Sequence, residues 1–133
     1  MAKYATAQQL DNEARDAEPA EHFSGPVIDL VHLSRQTLGD SALEGELLTL
    51  FDRQALQFST RLGASMAAGE GKWRGDLAHT LKGSASAVGA FMVADAAAAY
   101  ETAARAESPE AELAWRRLAA AIDRARGEIA GLL

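Results

Sequence analysis

From Val27 to Leu132 the large apolar side chains recur every three to four residues, and nowhere do they alternate with polar ones as a half-buried strand requires. Gly39, Gly69-Glu70-Gly71, Gly89 and Ser108-Pro109 punctuate that pattern. Helices cut to such lengths, each apolar along one side, can bury that side only against one another. The expected fold is therefore all-α, an antiparallel up-down-up-down four-helix bundle over residues 26–133. A short extra N-terminal helix should cap one end.

Each stretch carries its own start and stop signals. Asp29 can cap a short helix bearing Leu30, Leu33 and Leu38 that stops at Gly39. Ser41-Ala42-Leu43-Glu44 has the form of a capping box. The helix it opens is expected to run to about Ala68 through Leu43, Leu47, Leu50, Phe51, Phe58 and Leu62. Gly45 and Gly63 weaken that helix without ending it, and Gly69-Glu70-Gly71 breaks it. The next helix spans Lys72 to Val88, with Gly89 as its C′ residue. Another, from about Ala90 to Ala106, has an alanine-rich face that lets a neighbour come close. Ser108-Pro109-Glu110 supplies an N-cap, an N1 proline and an acidic first turn to the last helix. There Trp115, Leu118, Ile122, Ala125, Ile129 and Leu132 follow nearly heptad spacing. Residues 1–25 hold few large apolar side chains and end in Ser24-Gly25-Pro26, so they are read as a flexible leader, with His22 a solvated bystander.

Composition removes several classes of function. A chain of 133 residues is long enough for one core. A formal net charge of −6 without any basic run speaks against nucleic acid as the main partner. With no cysteine there is no disulfide, thiol nucleophile or thiolate metal site. No apolar run approaches the ~18 residues that would span a membrane, and the N-terminus lacks the apolar core of a secretory signal, so a cytoplasmic protein is expected. The nucleophile elbow, the phosphate-cradling Gly-x-x-x-x-Gly-Lys loop and His-Glu-x-x-His are all missing, so no ATP-binding or kinase activity is expected. No Glu-x-x-His occurs either. The nearest spacings are Asp29-x-x-His32, in which Asp29 is already the helix cap and His32 a structural histidine, and Asp76-x-x-His79. No metal site and no cofactor are expected.

The chemistry concentrates in Leu77-Ala78-His79-Thr80-Leu81-Lys82-Gly83-Ser84-Ala85-Ser86-Ala87-Val88-Gly89. With His79 as zero on a helical wheel, Leu77, Leu81 and Val88 fall at roughly 160–200°, with Trp73 and Ser84 beside them. Gly75, Asp76, Lys82, Gly83 and Ser86 lie on the side of the histidine, which is thus expected to face outward. Mid-helix glycine costs about 0.8–1 kcal/mol relative to alanine, and this chain uses alanine freely nearby. Four residues beyond His79, Gly83 leaves room beside the imidazole for a bulky group or another protein. Lys82 shares that face and can offset negative charge. A nucleophilic nitrogen, a cation and a steric vacancy suit phosphoryl transfer, where positioning and charge neutralisation do most of the work. An unperturbed imidazole, with a pKa of about 6.5, is available in neutral form near pH 7.

The run His79-x-Leu81-Lys82-Gly83-Ser84-Ala85, followed by Gly89-Ala90, resembles the signature of histidine-containing phosphotransfer (HPt) domains, and the helical pattern extends that resemblance over residues 26–133. The resemblance implies that His79 accepts a phosphoryl group, through Nε2, from the aspartate of one receiver domain and passes it to another in a two-component phosphorelay. It implies a phosphocarrier rather than an enzyme with turnover. Its partners would be receiver domains of response regulators, that of a hybrid histidine kinase among the candidates, and the receiver would bring the divalent metal. Lys82 is assigned to phosphoryl charge stabilisation and Gly83 to steric clearance, and Gly75, Ala78, Ser86 and Ala87 to the docking area. Gln54, Glu101 and Arg105 are candidates to approach the histidine from neighbouring helices. The ring's Nδ1–H needs an acceptor that the sequence does not identify. One bundle closes its own core, so a monomer is expected, and the start at Met1 suits a free-standing module. The alternative from another class is a bundle adaptor that binds and regulates a kinase or receiver without carrying phosphate.

Overall fold

The computed structural model describes residues 25–63 and 65–133. The leader, with His22, lies outside the described residues. The described residues form five helices, α1 Leu30–Thr37, α2 Ser41–Leu62, α3 Gly71–Val88, α4 Phe91–Arg105 and α5 Ala111–Leu132, and no strand. α2 to α5 close a four-membered ring in which α2 packs on α3 and α5, and α4 does the same. Neighbours run antiparallel. Leu62 near the end of α2 meets Arg74 at the start of α3, and Asp52 of α2 pairs with Arg126 late in α5. The core is built from Phe51, Ala55, Phe58 and Leu62 of α2, Ala78, Leu81, Ala85 and Val88 of α3, Val93, Ala97, Tyr100 and Ala104 of α4, and Leu118, Ile122, Ala125 and Ile129 of α5.

α1 closes the end of the bundle where α2 begins and α3 stops. The Asp29 carboxylate caps α1 by accepting the His32 backbone N–H at 3.0 Å, and the Asp29 N–H donates to the Gly89 carbonyl at 2.9 Å. Gly89 has two reasons to be glycine. It terminates α3 at φ +83° in a Schellman turn, with Ala90 N–H on the Ala85 carbonyl, and a Cβ there would lie 2.7 Å from the Asp29 carbonyl oxygen. His32 is half-buried, its ring edge-on to Phe91 with centroids 5.0 Å apart, as a structural histidine.

Four expectations need correction. The capping box at Ser41 does not close: Asp40 is the N-cap of α2, accepting the Leu43 N–H at 3.0 Å, while Glu44 accepts from the Thr37 hydroxyl at 3.1 Å and ties α2 to α1. α2 also ends at Leu62 rather than near Ala68. The buried Arg74 guanidinium takes the Leu62 carbonyl at 3.0 Å and the Tyr100 hydroxyl at 3.2 Å, satisfying a helix-end acceptor that another turn would have used. Finally, α3 is rotated by about 60° from the expected phase. Its buried face comprises Gly71, Arg74, Gly75, Ala78, Leu81, Ala85 and Val88, with Leu77 only half-buried and Trp73 exposed. Small residues set this rotation. A Cβ at Gly71 would collide with the Ala104 carbonyl oxygen, so the glycine lets α4 come close. Ser108 acts one turn early: its hydroxyl accepts the Glu110 N–H at 3.1 Å and α5 proper begins at Ala111.

Candidate functional site

α3 and α4 are joined only by Gly89 and Ala90, and their alanine- and glycine-lined faces meet along most of their length. That close approach determines what surrounds His79. Midway along α3, its side chain remains 68% exposed, and Nδ1 lies 3.2 Å from Oε1 of Glu101 on α4. Nε2 has no hydrogen-bond partner among the described residues.

The Glu101 carboxylate is half-buried and engaged at both oxygens. Oε2 accepts from Arg105 Nε at 3.0 Å and Nη2 at 2.9 Å, while Arg105 Nη1 reaches Asp76 Oδ1 at 3.0 Å. Asp76 Oδ2 in turn meets Lys72 Nζ at 3.1 Å. Burial pushes the Glu101 pKa upward, but the hydrogen bonds from Arg105 and then His79 outweigh it and hold the group below its ordinary value. Asp76 is lowered by its hydrogen bonds to Lys72 and Arg105. An ionised Glu101 accepts and cannot donate, so the neutral His79 ring carries its proton on Nδ1. The lone pair then stands on Nε2, the ring nitrogen left without a partner among the described residues on this largely exposed side chain. Glu101 thus fills the acceptor role that the sequence left unassigned.

On the exposed side, a Cβ at Gly83 would meet nothing within 4 Å, so the vacancy beside the imidazole is open. Lys82 is exposed and, among the described residues, has no ion-pair partner. Ala87 is exposed and Ser86 half-buried.

The rest of the expected docking area is placed differently. Ala78 is fully buried in the core, and Gly75 is covered by Arg105, whose Cγ would lie 2.5 Å from a Cβ at that position. Both belong to the α3–α4 contact, for the same reason that α3 is rotated. Gln54 lines a groove with Leu50, Arg53, Gln57 and Ser84 between α2 and α3, and the hydrogen bond to the His79 ring comes from Glu101 instead. Arg105 acts on Glu101 rather than on the ring. Asp76 and Lys72 complete the cluster without having been assigned to it. Their i,i+4 spacing, like that of Glu101 and Arg105, was the available signal. Asp29 is committed to its cap, and no group of three or more metal-ligating side chains is present among the described residues.

A family model described as the Hpt domain matches residues 46–128. Comparison with curated proteins and with solved structures returns no match.

Proposed function

Because the chain belongs to the Hpt-domain family, we propose that it relays phosphoryl groups between receiver domains, with His79 as the acceptor. The Hpt domain is a histidine phosphotransfer module of phosphorelays, a cofactor-free phosphocarrier without kinase activity that interacts with receiver domains of two-component systems. What supports His79 as the phosphorylated residue is one observation: on a side chain that is 68% exposed, Nδ1 is held by a carboxylate while Nε2 has no hydrogen-bond partner among the described residues.

In the proposed step the Nε2 lone pair attacks the phosphorus of a receiver's aspartyl phosphate, roughly in line. The new N–P bond forms as the bond between phosphorus and the carboxylate oxygen breaks, and the aspartate leaves with that electron pair. The ring keeps its Nδ1 proton, and the positive charge it gains faces Glu101. Two cations, Lys72 and Arg105, offset the two carboxylates of the cluster, so Lys82 is the cation left to meet the phosphoryl oxygens. In water, opposite unit charges about 4 Å apart attract by about 1 kcal/mol, and by more once a docked partner excludes solvent. Gly83 leaves the partner's loops room to come that close. The receiver supplies the divalent metal. The reverse step uses the same groups, so the protein can also pass the group on.

The test is to mix the protein with a labelled, phosphorylated receiver and look for acid-labile, alkali-stable label on it. His79→Gln should remove that label. Label that survives the substitution moves the acceptor elsewhere, and a wild-type protein that no competent receiver labels is an adaptor.

A further inference from the structure

The clamp on Glu101 goes further than a surface ion pair needs to. Arg105 uses all three of its guanidinium nitrogens, two on Glu101 Oε2 and one on Asp76 Oδ1, so a single side chain bridges α4 to α3. It can lie flat across α3 only because residue 75 has no side chain. An added Cβ would stand 2.5 Å from Cγ, 3.0 Å from Cζ and 3.1 Å from Nε of Arg105. Gly75 is therefore the seat of the guanidinium, as Gly71 is the seat of the α4 backbone. Asp76, fixed from the other side by Lys72 at 3.1 Å, stops the planar group from swinging away.

We propose that Arg105, seated on Gly75 and braced by Asp76, is a positioning residue for phosphoryl transfer, holding Glu101 so that the His79 proton stays on Nδ1 and Nε2 stays free to react. This rests on the reading of His79 as the phosphoryl acceptor. A glutamate has three rotatable bonds, and without a fixed partner on Oε2 nothing would keep Oε1 within 3.2 Å of the ring. In water a neutral imidazole prefers its proton on Nε2, the nitrogen that must attack. Releasing Glu101 should therefore put the proton on the reacting atom in a larger share of molecules. Lysine at 105 would keep the charge but cannot span Glu101 and Asp76 as a planar fork does.

The experiment uses the full chain in three forms: wild type, Arg105→Met and Arg105→Lys. Two readouts are taken, the imidazole nitrogen chemical shifts of His79 above pH 8 and single-turnover transfer from a phosphorylated receiver. Arg105→Met should move the His79 ring from the Nδ1–H toward the Nε2–H tautomer and slow transfer about tenfold at saturating receiver. The half-saturating receiver concentration should hardly move, the melting temperature should fall only by the small amount that the lost ion pairs contribute, and Arg105→Lys should recover only part of the rate. Gly75→Ala, which unseats the guanidinium without removing it, should reproduce the tautomer shift. Wild-type tautomer and wild-type rate in Arg105→Met would overturn the assignment while leaving His79 as acceptor. So would slowed transfer with an unchanged tautomer, because Arg105 would then be touching the receiver itself. Failure of the wild-type protein to take label removes the reading beneath it instead, and the chemical shifts still report whether Arg105 sets the tautomer.

Discussion

Replacing Gly83 with alanine should make the protein more stable and less active, two effects that a purely structural glycine would not produce together. The residue lies in the interior of α3, and an added Cβ would meet nothing within 4 Å. The substitution should therefore recover the full propensity difference of about 0.8–1 kcal/mol. For a chain of this size that corresponds to a rise of about 3–5 °C in melting temperature. A side chain at 83 stands about 5–6 Å from that of His79, inside the space that a phosphoryl group and its donor carboxylate must share. Displacing reacting atoms by about 1 Å can cost a hundredfold in rate, so Gly83→Gln should slow transfer by about that factor or more, and alanine by less. Gly127→Ala and Gly131→Ala are the controls. A Cβ at either meets nothing within 4 Å, and both lie on α5, diagonally across the bundle from α3. They should raise the melting temperature as well and leave transfer alone. Differential scanning calorimetry and single-turnover transfer settle both effects. Wild-type transfer by Gly83→Gln would refute the steric reasoning, and a lowered melting temperature in Gly83→Ala would refute the open-space reasoning.

Arg74→Met should destabilise the fold by about 2–6 kcal/mol in urea titrations, since the Leu62 carbonyl and the Tyr100 hydroxyl each lose a buried donor worth about 1–3 kcal/mol. A loss under about 1 kcal/mol would mean that these groups find other partners. Asp76 and Glu101 sit below their ordinary pKa values of 3.8 and 4.5, so their contribution to stability is complete above those values and disappears as the pH falls through the lower folded-state ones. The melting temperature should accordingly hold down to about pH 5 and fall below it, with a shallower fall in Arg105→Met; equal slopes in the two proteins would contradict the pairing. A chelator should stop transfer through the receiver's metal and leave this protein's melting temperature unchanged, whereas a drop in melting temperature would reveal a metal held by the chain itself.

Much of the fold was legible because large side chains and turn residues both spoke for it. Leu81, Val88, Phe51, Phe58, Leu118 and Ile122 are buried where their spacing places them, and Gly89 ends α3 as expected. The errors came from residues whose influence depends on a partner far away in sequence. Arg74 carries no apolar weight, yet it is buried, donating to a helix-end carbonyl twelve residues earlier. The phase of α3 departs from its hydrophobic pattern because Leu77 and Trp73 carry the apolar weight, whereas closeness to α4 is governed by Gly71, Gly75 and Ala78, which carry almost none. The same bias put Gly75 and Ala78 on the docking surface. Glu101 could be named only as a candidate, because facing His79 across two helices depends on the packing distance those small residues set.

Two glycines on one helix therefore do opposite work. At Gly75 the missing side chain is filled from within, by an arginine that closes over it. At Gly83 it is left open to the outside. Both lie four residues from His79, one on either side, so the imidazole is anchored toward the α4 side and cleared toward solvent. A group that must hold still and yet admit a second protein needs both conditions at once, with its own orientation locked by packing and hydrogen bonds and the approach left free. Alanine at either position should separate them. At 83 it should leave the ring's tautomer intact and obstruct the partner, and at 75 it should leave the approach open and disturb the ring. If the two substitutions gave the same tautomer and the same rate profile, the division of labour drawn from their surroundings would be wrong.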